Sequence, residues 1–95
     1  MKNIFKVIVS KKAKNDLKKV PLYIAIKFQS WIDYIKHDGL IEVSKIKGYH
    51  DEPLKGDRIG QRSIRLNKSY RAIYEVLATG EIEFIEVQEI TKHEY

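Results

Sequence analysis

The sequence predicts an α+β fold, with an N-terminal strand and a helical hairpin packed on a mainly antiparallel four-stranded sheet. Three observations carry this. Apolar residues at helical spacing are confined to the first half of the chain, and strand-like runs separated by short turns fill the second. No repeat, low-complexity stretch or linker divides the 95 residues, so positions 1–95 read as a single domain.

Residues 3–9 are rich in β-branched side chains, which suits a largely buried strand. Ser10 is placed to cap a short helix in which Ala13, Leu17 and Val20 recur at helical spacing until Pro21 interrupts. Pro21 suits the first turn of a second helix, whose stripe of Leu22, Ala25, Phe28, Ile32 and Ile35 is widened by Ile24 and Trp31 and stopped by Asp38-Gly39. Leu40, Val43 and Ile46 fit one or two more helical turns closed by Gly48. Residues 49–60, rich in Gly, Pro and charge, read as a loop. Residues 61–66 and 70–76 are strand-like and separated by Asn67-Lys68-Ser69, a hairpin-forming length. After a turn at Ala78-Thr79-Gly80, residues 82–90 form the last strand, although Glu83, Glu86 and Glu89 fall on both of its faces.

Composition narrows the function classes. No apolar run approaches the eighteen or so residues that cross a bilayer, and the lysine-interrupted N-terminus does not read as a secretory signal, so a soluble cytoplasmic protein without membrane partners is expected. With no cysteine, and with His37, His50 and His93 lacking zinc-site spacing, neither a metal nor a small-molecule cofactor is expected. The net charge of +5 favours polyanionic partners.

That charge is concentrated. Between Lys55 and Arg71 stand Lys55, Arg58, Arg62, Arg65, Lys68 and Arg71 against the single acid Asp57. Strand alternation sends Ser63 and Arg65 to one face and Ile64 and Leu66 to the core. Arg71, Ile73 and Glu75 share a side of the next strand, so antiparallel pairing would bring Arg71 near the loop of Lys55 and Arg58. Guanidinium groups suit phosphate because they bind it in two-pronged fashion and stay charged. The chain ends in Lys92-His93-Glu94-Tyr95, a cluster of acid–base groups.

The segment Glu52-Pro53-Leu54-Lys55-Gly56-Asp57-Arg58, with Gly60, Ser63-Ile64-Arg65 and Tyr70-Arg71-Ala72-Ile73-Tyr74, resembles the central signature of the RelE superfamily of toxins, especially its YoeB and HigB branches. The resemblance implies a RelE-like microbial ribonuclease fold. It also implies a metal-independent endoribonuclease, an mRNA interferase of a type II toxin–antitoxin system, that cuts messenger RNA in the A site of the 70S ribosome. There the substrate's own 2′-hydroxyl attacks the adjacent phosphate, and an antitoxin encoded by the adjacent gene holds the toxin inactive.

By position in that signature, Glu52 is implied as the general base, with His50 its rival. Arg71 is implied as the group stabilising the transition state, and His93 or Tyr95, with Glu94 between them, as the acid. Lys55, Arg58, Arg65 and Lys92 are expected on RNA phosphates. Arg62 stands with Gln61 where many relatives carry aromatic residues, and is expected to stack on a base or contact phosphate. Trp31, Tyr23 and Tyr34 are expected in core or antitoxin packing. The competing readings are a catalytically inactive RNA- or ribosome-binding module and, less favoured because no basic recognition helix is evident, a DNA-binding regulator.

Overall fold

Seventeen residues of apolar periodicity make one dominant helix, and everything else is arranged around it. The computed structural model describes residues 3–92. In order the elements are β1 (Val7–Val9), α1 (Lys11–Leu17), α2 (Leu22–Asp38), α3 (Leu40–Val43), β2 (Glu52–Pro53), β3 (Gln61–Arg65), β4 (Tyr70–Thr79) and β5 (Ile82–Lys92), with 3₁₀ turns at Lys47–Tyr49 and Gly56–Arg58. The architecture is the α+β arrangement expected, but the sheet has five strands, ordered β1-β5-β4-β3-β2. The extra strand is β2, inside the segment that patterning reads as loop. Two residues are too few to show a period, and only pairing of Glu52 with Ser63 and Pro53 with Arg62 reveals them. β1 is parallel to β5 and all other pairings are antiparallel.

α2 covers one face of the sheet. Its buried residues are Ile24, Phe28, Trp31, Ile32 and Ile35, and they join Ile64, Ala72, Tyr74, Ile85 and Val87 in one core. Leu22, expected in the apolar stripe, is instead 75% exposed, because the buried face runs through Ile24, Phe28, Trp31 and Ile35, and a residue two positions before Ile24 projects from the far side of the helix. Trp31 is at the centre, with ring centroids 5.4 Å from Tyr74 and 6.1 Å from Phe28. Tyr23 and Tyr34 are exposed. The helix stops at Gly39, whose φ of 86° and closeness to the Asn3 carboxamide leave no room for a Cβ.

α1 has a different task. Where β1 ends, α1 takes over the edge of β5: Ser10 Oγ donates to Gln88 O at 3.0 Å and Asp16 Oδ2 accepts from Ile90 N at 3.1 Å. Ser10 Oγ also accepts from Ala13 N, so one side chain caps the helix and closes the strand edge.

The irregular alternation of the last strand has a specific cause. Ile73 pairs with Glu89 but Tyr74 pairs with Val87, leaving Gln88 as the extra residue of a β-bulge. The bulge changes the phase of β5, so that Ile85, Val87 and Ile90 all reach the core while Glu86 and Glu89 share the opposite face. Among the described residues no helix is long and apolar enough to cross a membrane.

Candidate active site

Directly opposed residues on neighbouring strands share a face, so the register lays out the sheet surface that α2 leaves open. One row holds Arg65, Arg71 and Thr91, and the next holds Glu52, Ser63, Ile73 and Glu89. The turn Gly56–Arg58 folds over this face, and Arg58 reaches across the strands to Glu89 on β5, Nη2 to Oε1 2.5 Å, while its Nε donates to Gln61 at 2.8 Å. Ser63 and Ile73 are thereby buried and form a floor. The result is a cleft of about 370 Å³ bordered by Glu52, Leu54, Arg58, Arg71, Thr91 and Lys92. Four of the residues expected from the sequence to act on RNA are thus brought together although they are spread over forty positions of the chain.

Electrostatics distinguish Arg71 from its neighbours. Two of the carboxylates on its face are engaged elsewhere: Glu89 with Arg58 and, at 3.5 Å, Lys12, and Glu75 with Gln88 Nε2 at 2.8 Å. Gln88 itself accepts from Gln61, continuing the chain of contacts across the sheet. Among the described residues Arg71 has neither an ion pair nor a side-chain hydrogen bond, and its cross-strand partner is another cation, Arg65. Arg65 Nε is buried without a partner. Two guanidinium groups in directly opposed positions repel in the free protein, and an anion between them relieves that repulsion.

Glu52 stands at the mouth of the cleft on the edge strand, half exposed, with its Oε2 3.9 Å from His50 Nε2. Pro53 beside it is tolerated because an edge strand leaves one side of its backbone unpaired. His50 adopts the left-handed region, φ 49°, and lines a neighbouring concavity with Lys45, Lys47, Asp51 and Glu52. The cleft of Arg71 is bordered by Glu52 and not by His50.

Other expected site residues lie elsewhere. Arg62 pairs with Tyr74 across the strands and so projects from the opposite face, where its Nε donates to Asp51 Oδ1 at 2.8 Å. Strand alternation thus turns Arg62 away from the cleft that Arg71 borders. Lys55 is exposed and does not border the cleft. Arg65 does not border the cleft either, but stands opposite Arg71 on the neighbouring strand. His93, Glu94 and Tyr95 lie outside the described residues. The residues missed are Asp51 and Tyr74, whose hydroxyl donates to Asp51 Oδ2 at 2.6 Å. Burial, reinforced by the adjacent Asp51 charge, pushes the Tyr74 phenol far above its ordinary range. The register of Arg62 opposite Tyr74 was their one signal, and it depends on the strand pairing. No three His, Asp or Glu side chains gather as metal ligands among the described residues.

No family model matches the sequence, and no curated protein matches it. Solved structures do. The YoeB/ParE toxin from Agrobacterium tumefaciens superposes with a TM-score of 0.70 at 23% identity, covering 94% of this chain and 99% of that one. The YoeB dimer from Staphylococcus aureus gives 0.66 at 20%, covering 99% and 100%. A chain of the E. coli DinJ–YafQ toxin–antitoxin complex gives 0.70 at 16%, covering 93% and 91%. The chain has the fold of these toxins.

Proposed function

We propose that this protein is a toxin of the RelE superfamily, an endoribonuclease of a type II toxin–antitoxin system that cleaves messenger RNA on the ribosome. The observation that carries the reading is the cleft in which a carboxylate, Glu52, and an arginine without an ion-pair partner among the described residues, Arg71, border the same space. The fold shared with YoeB and YafQ toxins supports it.

The chemistry follows from the groups present. Glu52 takes the proton of the 2′-hydroxyl, and the freed oxygen forms a bond to the adjacent phosphorus. The bond from phosphorus to the 5′-oxygen breaks, and that oxygen takes a proton from the acid, assigned to His93 or Tyr95 at the end of the chain. The products are a 2′,3′-cyclic phosphate and a 5′-hydroxyl. Arg71 meets the charge that builds on the phosphoryl oxygens, with Arg65 beside it. Lys92 and Arg58 hold flanking phosphates, Arg58 while exchanging part of its contact with Glu89. DNA lacks the attacking group. Action on translated messages places the protein in the cytoplasm, and the neighbour's complex with DinJ supports an antitoxin, encoded by the adjacent gene, as its partner.

The test is cleavage of messenger RNA on programmed ribosomes by the purified chain. Wild type should cut, and Arg71→Ala should lose roughly 10²–10³ in rate, the usual consequence of removing one transition-state donor. Wild type that binds the ribosome without cutting would leave a binding module in place of an enzyme. Expression alone should arrest growth, and co-expression of the adjacent reading frame should restore it.

A further inference from the structure

The base assigned to Glu52 has a mechanical problem, since it sits on a strand of two residues at the edge of the sheet. β2 pairs with β3 only through Glu52 and Pro53, and proline has no N–H to give to the ladder. Before it the chain turns through the left-handed conformation of His50. Such a segment is poorly held by its backbone alone, yet a general base needs a carboxylate fixed within a fraction of an ångström of its substrate proton.

The side chain one position earlier supplies the missing constraint. Successive strand residues point to opposite faces, so while Glu52 faces the cleft, Asp51 turns toward the core, where its side chain is only 1% exposed. Both of its oxygens are occupied: Oδ1 accepts from Arg62 Nε at 2.8 Å and Oδ2 from the Tyr74 hydroxyl at 2.6 Å. A carboxylate gripped at both oxygens cannot rotate, and neither donor is free to drift. Arg62 belongs to β3, and the Tyr74 ring is fully buried against Trp31 of α2. A buried charge left without such partners would be strongly unfavourable, so the arrangement is all or none.

We infer that Asp51 is the positioning residue for Glu52, and that Arg62 and Tyr74 clasp it so that the core, through Trp31, sets where the catalytic carboxylate stands. The inference rests on the reading of Glu52 as base. It gives Arg62 a role in the reaction without contact with RNA.

The experiment compares single-turnover cleavage on programmed ribosomes by wild type, Asp51→Asn, Tyr74→Phe, Glu52→Gln and the double variant Glu52→Gln/Tyr74→Phe. Tyr74→Phe keeps the ring against Trp31 and removes only the hydroxyl, so it remains informative if Asp51→Asn fails to fold. Each folded clasp variant should slow cleavage tenfold or more, toward the order of a hundredfold that small misplacement costs, with ribosome affinity unchanged. In the Glu52→Gln background Tyr74→Phe should add little, because it acts only through Glu52. Amide exchange at Leu54, whose N–H bonds Gln61 O at 2.9 Å just beyond β2, should accelerate in Tyr74→Phe. Wild-type rates in Tyr74→Phe, an equal slowing in both backgrounds, or unchanged Leu54 exchange would each overturn the positioning role. An inactive wild type would instead overturn the function, and the positioning role with it.

Discussion

At the scale of single residues, function depends on which charges the fold leaves unpaired. Arg58 spends its guanidinium on Glu89 and Gln61, and Arg62 on Asp51, while Arg71 is left to face Arg65. Glu52 and His50 are close enough to compete for one role, but only Glu52 borders the cleft of Arg71. Glu52→Gln should therefore slow cleavage by on the order of 10²–10⁴ and His50→Gln by far less, measured in single turnover on programmed ribosomes. The reverse result would transfer the base to His50. Tyr74 gives a second expectation. Its folded phenol is held neutral by burial, and by Asp51, well above the pH near 10 where an unfolded tyrosine ionises. Stability from this source is complete below that pH and is lost as pH rises beyond it, because only the unfolded chain releases the proton. The urea midpoint should fall between pH 9 and pH 11 in wild type and fall less in Tyr74→Phe. Tyr49, also raised by burial, contributes alike to both proteins.

At the scale of elements, the sheet does the selecting. Alternation along β3 and β4 divides one arginine-rich hairpin into a cleft face with Arg65 and Arg71 and a core-side face with Arg62, and a one-residue slip would reverse them. β5 needs its bulge for the same reason. Were Gln88 to pair with Ile73 in an unbulged ladder, Glu89 and Thr91 would change faces, taking the partner from Arg58 and turning a carboxylate into the core. Deleting Gln88 joins Val87 to Glu89 and keeps their pairings with Tyr74 and Ile73 in a regular ladder, so the deletion variant should still unfold cooperatively in a circular-dichroism melt, as should Gln88→Ala, which keeps the residue and removes its contacts with Glu75 and Gln61. A deletion variant that loses cooperative melting would show that the fold needs the extra residue itself and not only the phase it sets. The short elements differ in kind: α1 is an edge cover for β5, and β2 is a carrier for Glu52.

At the scale of the whole molecule, the net charge is +5, and the helix-free face of the sheet presents Arg65 and Arg71, with Lys92 beside Arg71 at the border of the cleft. Binding to a polyanion should weaken steeply with salt, and Lys92→Gln should lower the logarithmic salt slope by about one, without changing sequence preference. An unchanged slope would remove Lys92 from the phosphate contacts. The order of the major elements, the core positions of α2 and the open-face placement of Arg65 and Arg71 were legible in the sequence, because the 3.6- and 2-residue periods are local properties that each segment carries with it. The rest was decided by tertiary structure. β2 has no period of its own and exists through pairing with β3; the phase of β5 shifts at a bulge that its neighbour imposes; and Arg62 and Asp51 meet only because strands distant in the chain come into register. Local sequence determined which faces are apolar and where cations cluster, since side-chain chemistry acts at each residue alone. Which arginine stays free and which carboxylate is gripped required the assembled sheet, because an ion pair forms between residues that only folding makes neighbours.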